Sequence, residues 1–160
     1  MKYIVILALT LVVLSCRNNS IHGPGSPLPK LDLLLIDSIT RMTTEEIPKG
    51  KSIVFMYFSP NCVYCNEEID LISANMPRFQ EAEIILLSQR PFSEVKQFYY
   101  TKNLNRYKNI KVSIDADKAF YNYFKPTGIP FLAFYNKDRQ LKALFEGRAE
   151  LDFLIEMANK

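Results

Sequence analysis

Apolar residues fall into blocks along the chain whose lengths and spacing predict strands and helices in alternation. Two blocks, at residues 52–58 and 83–88, lack polar alternation, which is typical of strands covered on both faces. Elsewhere apolar side chains recur every three or four positions, as on the buried face of a helix. The pattern predicts strands at residues 31–39, 52–58, 83–88, 110–114, 131–135 and 140–145, and helices at residues 62–75, 93–104, 117–124 and 149–158. This order predicts an α/β fold, with a mixed central sheet and helices on both faces.

Local signals refine some of these elements. The first apolar run, at residues 31–39, is interpreted as a strand, although its composition also fits a helix. Ser93 is predicted to cap the second helix, and Asp115 or Asp117 to cap the third. A polar turn at residues 136–138 predicts a hairpin between the last two strands.

The composition is that of one globular domain. The chain has 160 residues, of which 48% are hydrophobic and 23% are charged, enough to build a core. Its 20 basic and 17 acidic residues are nearly balanced, and no basic cluster is interleaved with aromatic residues. We therefore predict no binding of nucleic acid.

The N-terminal residues have the pattern of a secretory signal. Residues 3–14 are apolar apart from Thr10, a run with the length of a signal-peptide core and too short for a comfortable membrane span. The run ends in Val13-Leu14-Ser15-Cys16, which resembles the cleavage box of bacterial lipoproteins. The resemblance implies a signal peptide at residues 1–15 and lipidation of Cys16. An ordinary signal peptide or an uncleaved anchor is the alternative.

A lipidated Cys16 would anchor the protein to a membrane of the bacterial cell envelope, facing the periplasm. Residues 16–30 contain several Gly, Pro, Ser and Asn residues, which predicts a flexible tether. The folded domain is then predicted at residues 31–160. The remaining two cysteines would lie in an oxidising compartment.

Cys62 and Cys65 are the candidate chemical site. They follow a predicted buried strand and a short Ser59-Pro60-Asn61 break, at the start of a predicted helix. A helix N-terminus presents unpaired N–H groups and a partial positive charge, which favour a thiolate over a thiol. Cys65 lies one turn further along the same face, within reach of a disulfide. This arrangement predicts thiol–disulfide exchange, with Cys62 attacking and Cys65 resolving.

Two other interpretations of this pair fit the sequence less well. A purely structural disulfide would close so short a loop that it would constrain the unfolded chain very little. Half of a zinc site would need further ligands, but the sequence has no second C-x-x-C and no pair of histidines. Redox chemistry is therefore favoured, and no metal and no cofactor are predicted.

With these motifs the chain resembles the thioredoxin-like fold, and within it the TlpA-like thiol–disulfide oxidoreductases of the bacterial envelope. The resemblance covers roughly residues 31–160. It depends on the C-x-x-C after a strand, on Gly128-Ile129-Pro130 before a hairpin, and on Phe145-Glu146-Gly147 before the last helix. The extra helix and strand between residues 83 and 127 resemble the insertion of the TlpA-like branch.

The resemblance implies roles for two further residues. Pro130 is expected in the cis form beside the dithiol, and the backbone of Ile129 is expected to pair with an extended substrate peptide. It also implies an enzyme that acts, usually reductively, on protein thiols and disulfides, with electrons from a membrane redox donor. We expect the protein to be a monomer.

The sequence departs from the family pattern near the dithiol. Met56 replaces the buried acid that often lies six residues before the first cysteine, and Asn61 replaces the usual tryptophan. The proton that leaves Cys65 must then go to water, to Glu67 or Glu68, or to another group.

These departures motivate an alternative function, a non-catalytic lipoprotein that binds extended peptides by strand addition. Peroxide reduction, known from a neighbouring branch of the fold, is disfavoured because position 59 is a serine and no arginine lies nearby in the sequence.

Overall fold

A mixed sheet forms the centre of the computed structural model, which describes residues 22–159. Its seven strands in that range are β1 (Asp32–Leu35), β2 (Arg41–Thr43), β3 (Ser52–Tyr57), β4 (Ala82–Ser88), β5 (Ile110–Ile114), β6 (Phe131–Tyr135) and β7 (Leu141–Glu146). They lie in the order β2-β1-β5-β4-β3-β6-β7. β3 runs parallel to β4, and β4 to β5, while the outer pairs are antiparallel.

Helices cover both faces of this sheet, as predicted. They are α1 (Val63–Ala74), α2 (Phe92–Thr101), α3 (Ala119–Phe124) and α4 (Leu151–Asn159). Val54 and Met56 of β3 pack into a core with α1, α2 and α4, while Phe55 and Tyr57 pack into a second core with α3. Successive strand residues point to opposite faces, so two covered faces explain why β3 shows no polar alternation.

The first predicted strand is shorter than expected. β1 ends at Leu35, because the carboxylate of Asp37 accepts hydrogen bonds from the N–H groups of Ile39 (3.0 Å) and Thr40 (2.8 Å). Ser38 adopts a left-handed conformation, with φ of 70°. The chain therefore reverses and forms β2, a strand that the hydrophobic pattern did not predict.

The helix caps agree with the predictions in part. Lys118 occupies the N-cap position of α3, and the carboxylate of Asp115, three residues earlier, accepts from the N–H groups of Phe120 (3.1 Å) and Tyr121 (3.0 Å). The prediction for Ser93 is wrong. α2 begins one residue earlier, after Pro91, and no side chain caps it.

The structure differs from the predicted tether over residues 22–30. The N–H of Gly25 donates to the carbonyl of Leu141 at 2.8 Å, and the N–H of Leu28 donates to the carbonyl of Arg139 at 2.9 Å. Leu28 also packs against the second core, so burial of an apolar side chain holds this segment on the domain. The folded unit therefore begins before residue 31.

The predicted signal peptide at residues 1–15, Cys16 and the first part of the tether lie outside the described residues. Between residues 22 and 159, no helix combines the length and the apolar character needed to cross a bilayer.

Candidate active site

The two cysteines lie where the parallel strand β3 leads into α1. Cys62 occupies the N-cap position of α1 and Cys65 lies in its first turn. The preceding loop is closed on itself, because the N–H of Cys62 donates to the carbonyl of Ser59 at 3.0 Å. The side-chain amide of Asn66 donates to the carbonyls of Pro60 and Cys62, both at 2.8 Å. The structure thus brings both predicted cysteines to one helix start.

Cys62 Sγ accepts a backbone hydrogen bond at the start of α1. The backbone N–H of Cys65 donates to Cys62 Sγ at 3.2 Å, and the first turn of α1 carries no acidic residue. A hydrogen bond from a backbone N–H is strengthened when its acceptor is charged, and the helix N-terminus adds a partial positive charge. Cys62 is also partly exposed, so the residue is accessible to another molecule.

Cys65 has the opposite environment. It is fully buried beneath the helix start. Burial raises the pKa of the Cys65 thiol, and the hydrogen bond with the Cys62 side chain raises it further. The raised pKa keeps Cys65 protonated at neutral pH, and Cys62 is the more exposed of the two thiols.

Glu68 is a buried carboxyl on the face of α1 that carries Cys65. It follows Cys65 by three positions, so the two side chains lie one turn apart. Its Oε2 accepts a hydrogen bond from the N–H of Ala149 at 3.0 Å, and its Oε1 has no partner among the described residues. Burial raises the pKa of Glu68 to about 7. A group with this pKa can take up and release a proton at neutral pH.

The structure thus separates two acids that the sequence left as alternatives. Glu67 is exposed and forms an ion pair with Arg148 at 3.2 Å, whereas Glu68 faces the core. The spacing from Cys65 and the place of Glu68 next to the buried Ile69 were the signals in the sequence that could have identified it. Glu68 is thus a buried acid one turn from Cys65, whereas Met56 occupies the position six residues before Cys62.

A second loop lies against Cys62. The Ile129–Pro130 peptide bond is cis, as the family resemblance implied. The Sγ of Cys62 lies 3.8 Å from the carbonyl oxygen of Ile129. Thr127 ties this loop to β7, because its N–H (2.8 Å) and its hydroxyl (2.6 Å) both donate to the carboxylate of Glu146. The structure therefore brings all four predicted dithiol and loop residues together.

Exposed apolar side chains surround the dithiol. Val63 is 68% exposed, Tyr64 is 61% exposed and Ile129 is 36% exposed. Beside them lies a groove of about 300 Å³ lined by Tyr57, Phe58, Ser59, Gln89, Arg90 and Ile129. Exposed apolar groups next to a reactive atom are typical of a surface that binds a protein or peptide.

The part of the chain that the structure describes contains no candidate metal site. Between residues 22 and 159, no group of three or more His, Cys, Asp and Glu side chains is placed to hold a metal ion.

No family model and no curated protein matches this sequence. Solved structures do match its fold. The thioredoxin domain of a thiol–disulfide oxidoreductase from Bacteroides vulgatus superposes with a TM-score of 0.65 at 15% identity, over 86% of this chain and 99% of that one. StoA from Bacillus subtilis superposes with a TM-score of 0.65 at 13% identity, over 84% of this chain and 98% of that one.

A third match is a secreted disulfide oxidoreductase of Mycobacterium tuberculosis, described as homologous to DsbE of E. coli. It superposes with a TM-score of 0.67 at 17% identity, over 80% of this chain and 93% of that one. Similarity at this level of identity establishes architecture. With the seven-stranded mixed sheet and the helices on both of its faces, it shows that this chain has the thioredoxin-like fold.

Proposed function

We propose that the protein is a lipid-anchored thiol–disulfide oxidoreductase of the bacterial cell envelope. The observation that carries this proposal is the contrast between the two thiols. Cys62 is partly exposed and accepts a backbone N–H at 3.2 Å, whereas Cys65 is buried one turn below it. A static disulfide would not require this asymmetry, but an attacking and a resolving cysteine do.

The reduced protein would act in two exchange steps. The Cys62 thiolate attacks one sulfur of a substrate disulfide. A new bond joins Cys62 Sγ to that sulfur, and the other substrate sulfur leaves as a thiolate that takes a proton from water. Cys65 then transfers its proton to the carboxylate of Glu68 and attacks Cys62 Sγ. The Cys62–Cys65 disulfide forms, and the second substrate sulfur leaves as a thiolate that takes a proton from water. Glu68 then releases its proton to water.

Each cycle passes two electrons from the dithiol of the protein to the substrate. The Cys62–Cys65 disulfide must therefore be reduced again by a two-electron donor, and we infer a redox protein of the membrane. The reductive direction follows the resemblance to the TlpA-like branch. The cis Ile129–Pro130 segment, beside Cys62, would pair with the backbone of an extended substrate.

Anchoring through Cys16 belongs to the same proposal and is supported by the sequence pattern at residues 13–16. Cys16→Ser expressed in a bacterial host should lose incorporation of labelled fatty acid and move from the membrane to the soluble fraction. Retention of the label in that variant would contradict lipidation at Cys16. The exchange activity of the domain should not depend on this change.

Reduction of a protein disulfide tests the catalytic claim. Wild-type protein supplied with dithiothreitol should accelerate the reduction, and Cys62→Ser should abolish the acceleration. Cys65→Ser should instead accumulate a mixed disulfide with the substrate, because no resolving thiol remains. A Cys62→Ser protein that works at the wild-type rate would rule out the assignment.

The exposed Val63, Tyr64 and Ile129 also suit a protein that binds extended peptides without turnover. That alternative requires peptide binding that does not change when both cysteines are replaced by serine. It also requires Cys62 to resist alkylation after mild reduction, whereas the oxidoreductase requires rapid alkylation.

A further inference from the structure

The groove beside Cys62 has a distinct chemical lining. It begins at Ile129, whose carbonyl oxygen lies 3.8 Å from Cys62 Sγ, and it extends to the loop between β4 and α2. Ser59, Gln89 and Arg90 contribute side chains that can donate hydrogen bonds, and none of the described lining residues carries a carboxylate. The groove is therefore suited to an acceptor of hydrogen bonds with negative charge.

Arg90 is held in place at this groove. Its Nε and Nη2 donate to the two carboxylate oxygens of Glu94, both at 3.0 Å, in the paired geometry typical of arginine and a carboxylate. Its Nη1 makes no hydrogen bond to any residue between 22 and 159, and the side chain is 47% exposed. One edge of the guanidinium is thus fixed while another remains available to a ligand.

The negative charge of Glu94 does not remove the preference of the groove for a negatively charged ligand. Its Oε2 also accepts from the side-chain amide of Asn61 at 3.5 Å, and Glu94 lines a separate depression together with Pro60 and Asn61. Glu94 is not among the residues that line the groove. A ligand in the groove therefore has the Arg90 cation as its nearer charge.

We propose that the site selects substrates with an aspartate or glutamate two residues before the reacting cysteine in an extended segment, and that Arg90 binds this acidic side chain. In an extended chain, side chains two residues apart lie about 7 Å apart on the same face. An acid at that distance from the sulfur on Cys62 reaches the adjoining groove. This inference rests on the proposed exchange activity and adds a substrate class to it.

Three matched peptide disulfides test the proposal. Each is a symmetric dimer of one short peptide, with Glu, Gln or Lys two residues before its only cysteine. Reduced wild-type protein is mixed with each dimer, quenched with an alkylating agent and scored for oxidation of the dithiol. Each rate is divided by the rate of the same dimer with dithiothreitol, which removes the intrinsic reactivity of the peptide.

We expect the Glu peptide to react about three- to tenfold faster than the Lys peptide at low salt, as for a partly exposed charge pair. The ratio should fall as salt is raised. Arg90→Gln should bring the ratio close to one, and Arg90→Lys should restore part of it. Arg78→Gln is the matched control, because it removes the same charge from an exposed position in the turn at Met76–Phe79, before β4 begins.

The outcomes separate the two claims. Equal normalised rates for the three peptides with wild-type protein, or a ratio that persists in Arg90→Gln, would overturn the role of Arg90 and leave the exchange activity intact. Rates no faster than those of Cys62→Ser with every peptide would instead contradict the proposed function itself. Thermal unfolding of each variant checks that the domain remains folded.

Discussion

Replacing Glu68 with glutamine removes one buried titratable group beneath the dithiol and preserves the size of the side chain. In the wild-type protein, Oε2 accepts from the N–H of Ala149 at 3.0 Å and Oε1 has no partner among the described residues. Glutamine keeps an oxygen for that N–H and places an amide group where the unpartnered oxygen lies. The cost of this buried amide does not depend on pH, so a comparison across pH isolates the ionisation of Glu68.

The expected magnitude follows from the pKa. Burial raises the pKa of Glu68 from 4.5 to about 7, so the folded protein binds this proton more tightly than the unfolded chain does. The stabilising contribution is fully present below pH 4.5 and is lost as the pH rises through about 7. A shift of this size corresponds to about 3 kcal/mol. Relative to Glu68→Gln, the wild-type protein should therefore lose about 3 kcal/mol of unfolding free energy between about pH 4 and pH 8.

Urea unfolding of both proteins at a series of pH values measures this difference. Both proteins must be kept as dithiols with a reductant, so that the redox state of the cysteines is the same. Glu67→Gln is the control, because Glu67 is exposed and forms an ion pair with Arg148. A difference between wild type and Glu68→Gln that stays constant over this pH range, or that grows in favour of the wild type at high pH, would refute the reasoning.

Three further predictions concern reactivity and stability. Iodoacetamide should modify Cys62 of the folded, reduced protein and leave the buried Cys65 unmodified; mass spectrometry showing equal modification would contradict the assigned roles. Asp115→Ala removes the acceptor for two N–H groups of α3 and should lower the free energy of unfolding, measured in urea, by about 1–2 kcal/mol. Asp117→Ala is the control, because Asp117 is an exposed neighbour, and its effect on the free energy of unfolding should be close to zero. Glu83→Gln leaves two lysines without their shared, buried carboxylate and should cost about 1–3 kcal/mol, measured in the same way.

The hydrophobic pattern was sufficient to predict the central strands of the sheet. The runs that became β3 and β4 are apolar at every position that faces either core, and only a buried strand fits their length. The order of these elements then limits the sheet to few arrangements. For the site, the spacing of Cys62 and Cys65 after a strand was sufficient to predict two thiols at a helix start.

Other features depend on contacts that no local pattern encodes. β1 ends because one carboxylate, that of Asp37, closes a turn on the N–H groups that follow it, and β2 exists because the returning chain pairs with β1. The segment before residue 31 has the composition of a flexible linker, yet backbone hydrogen bonds to β7 and the burial of Leu28 hold it on the domain. Propensity and composition are weak guides where tertiary contacts decide the outcome.

The choice between Glu67 and Glu68 shows the same limit within the site. The two acids are adjacent in sequence, and their different roles depend on which one faces the core next to Ala149. A helical projection places Glu68 on the same face as Cys65. Only the packing of α1 against the segment before α4 shows that the Glu68 carboxyl is buried and that its pKa is raised.

The redox equilibrium of the Cys62–Cys65 pair tests the central claim most directly. The protein is equilibrated over a range of ratios of reduced to oxidised dithiothreitol, and free thiols are counted after alkylation. We predict one reversible two-electron transition that involves both cysteines and disappears in Cys62→Ser and in Cys65→Ser. Thiols that stay reduced at every ratio, or a disulfide that no ratio reduces in the folded protein, would contradict an exchange site at the start of α1.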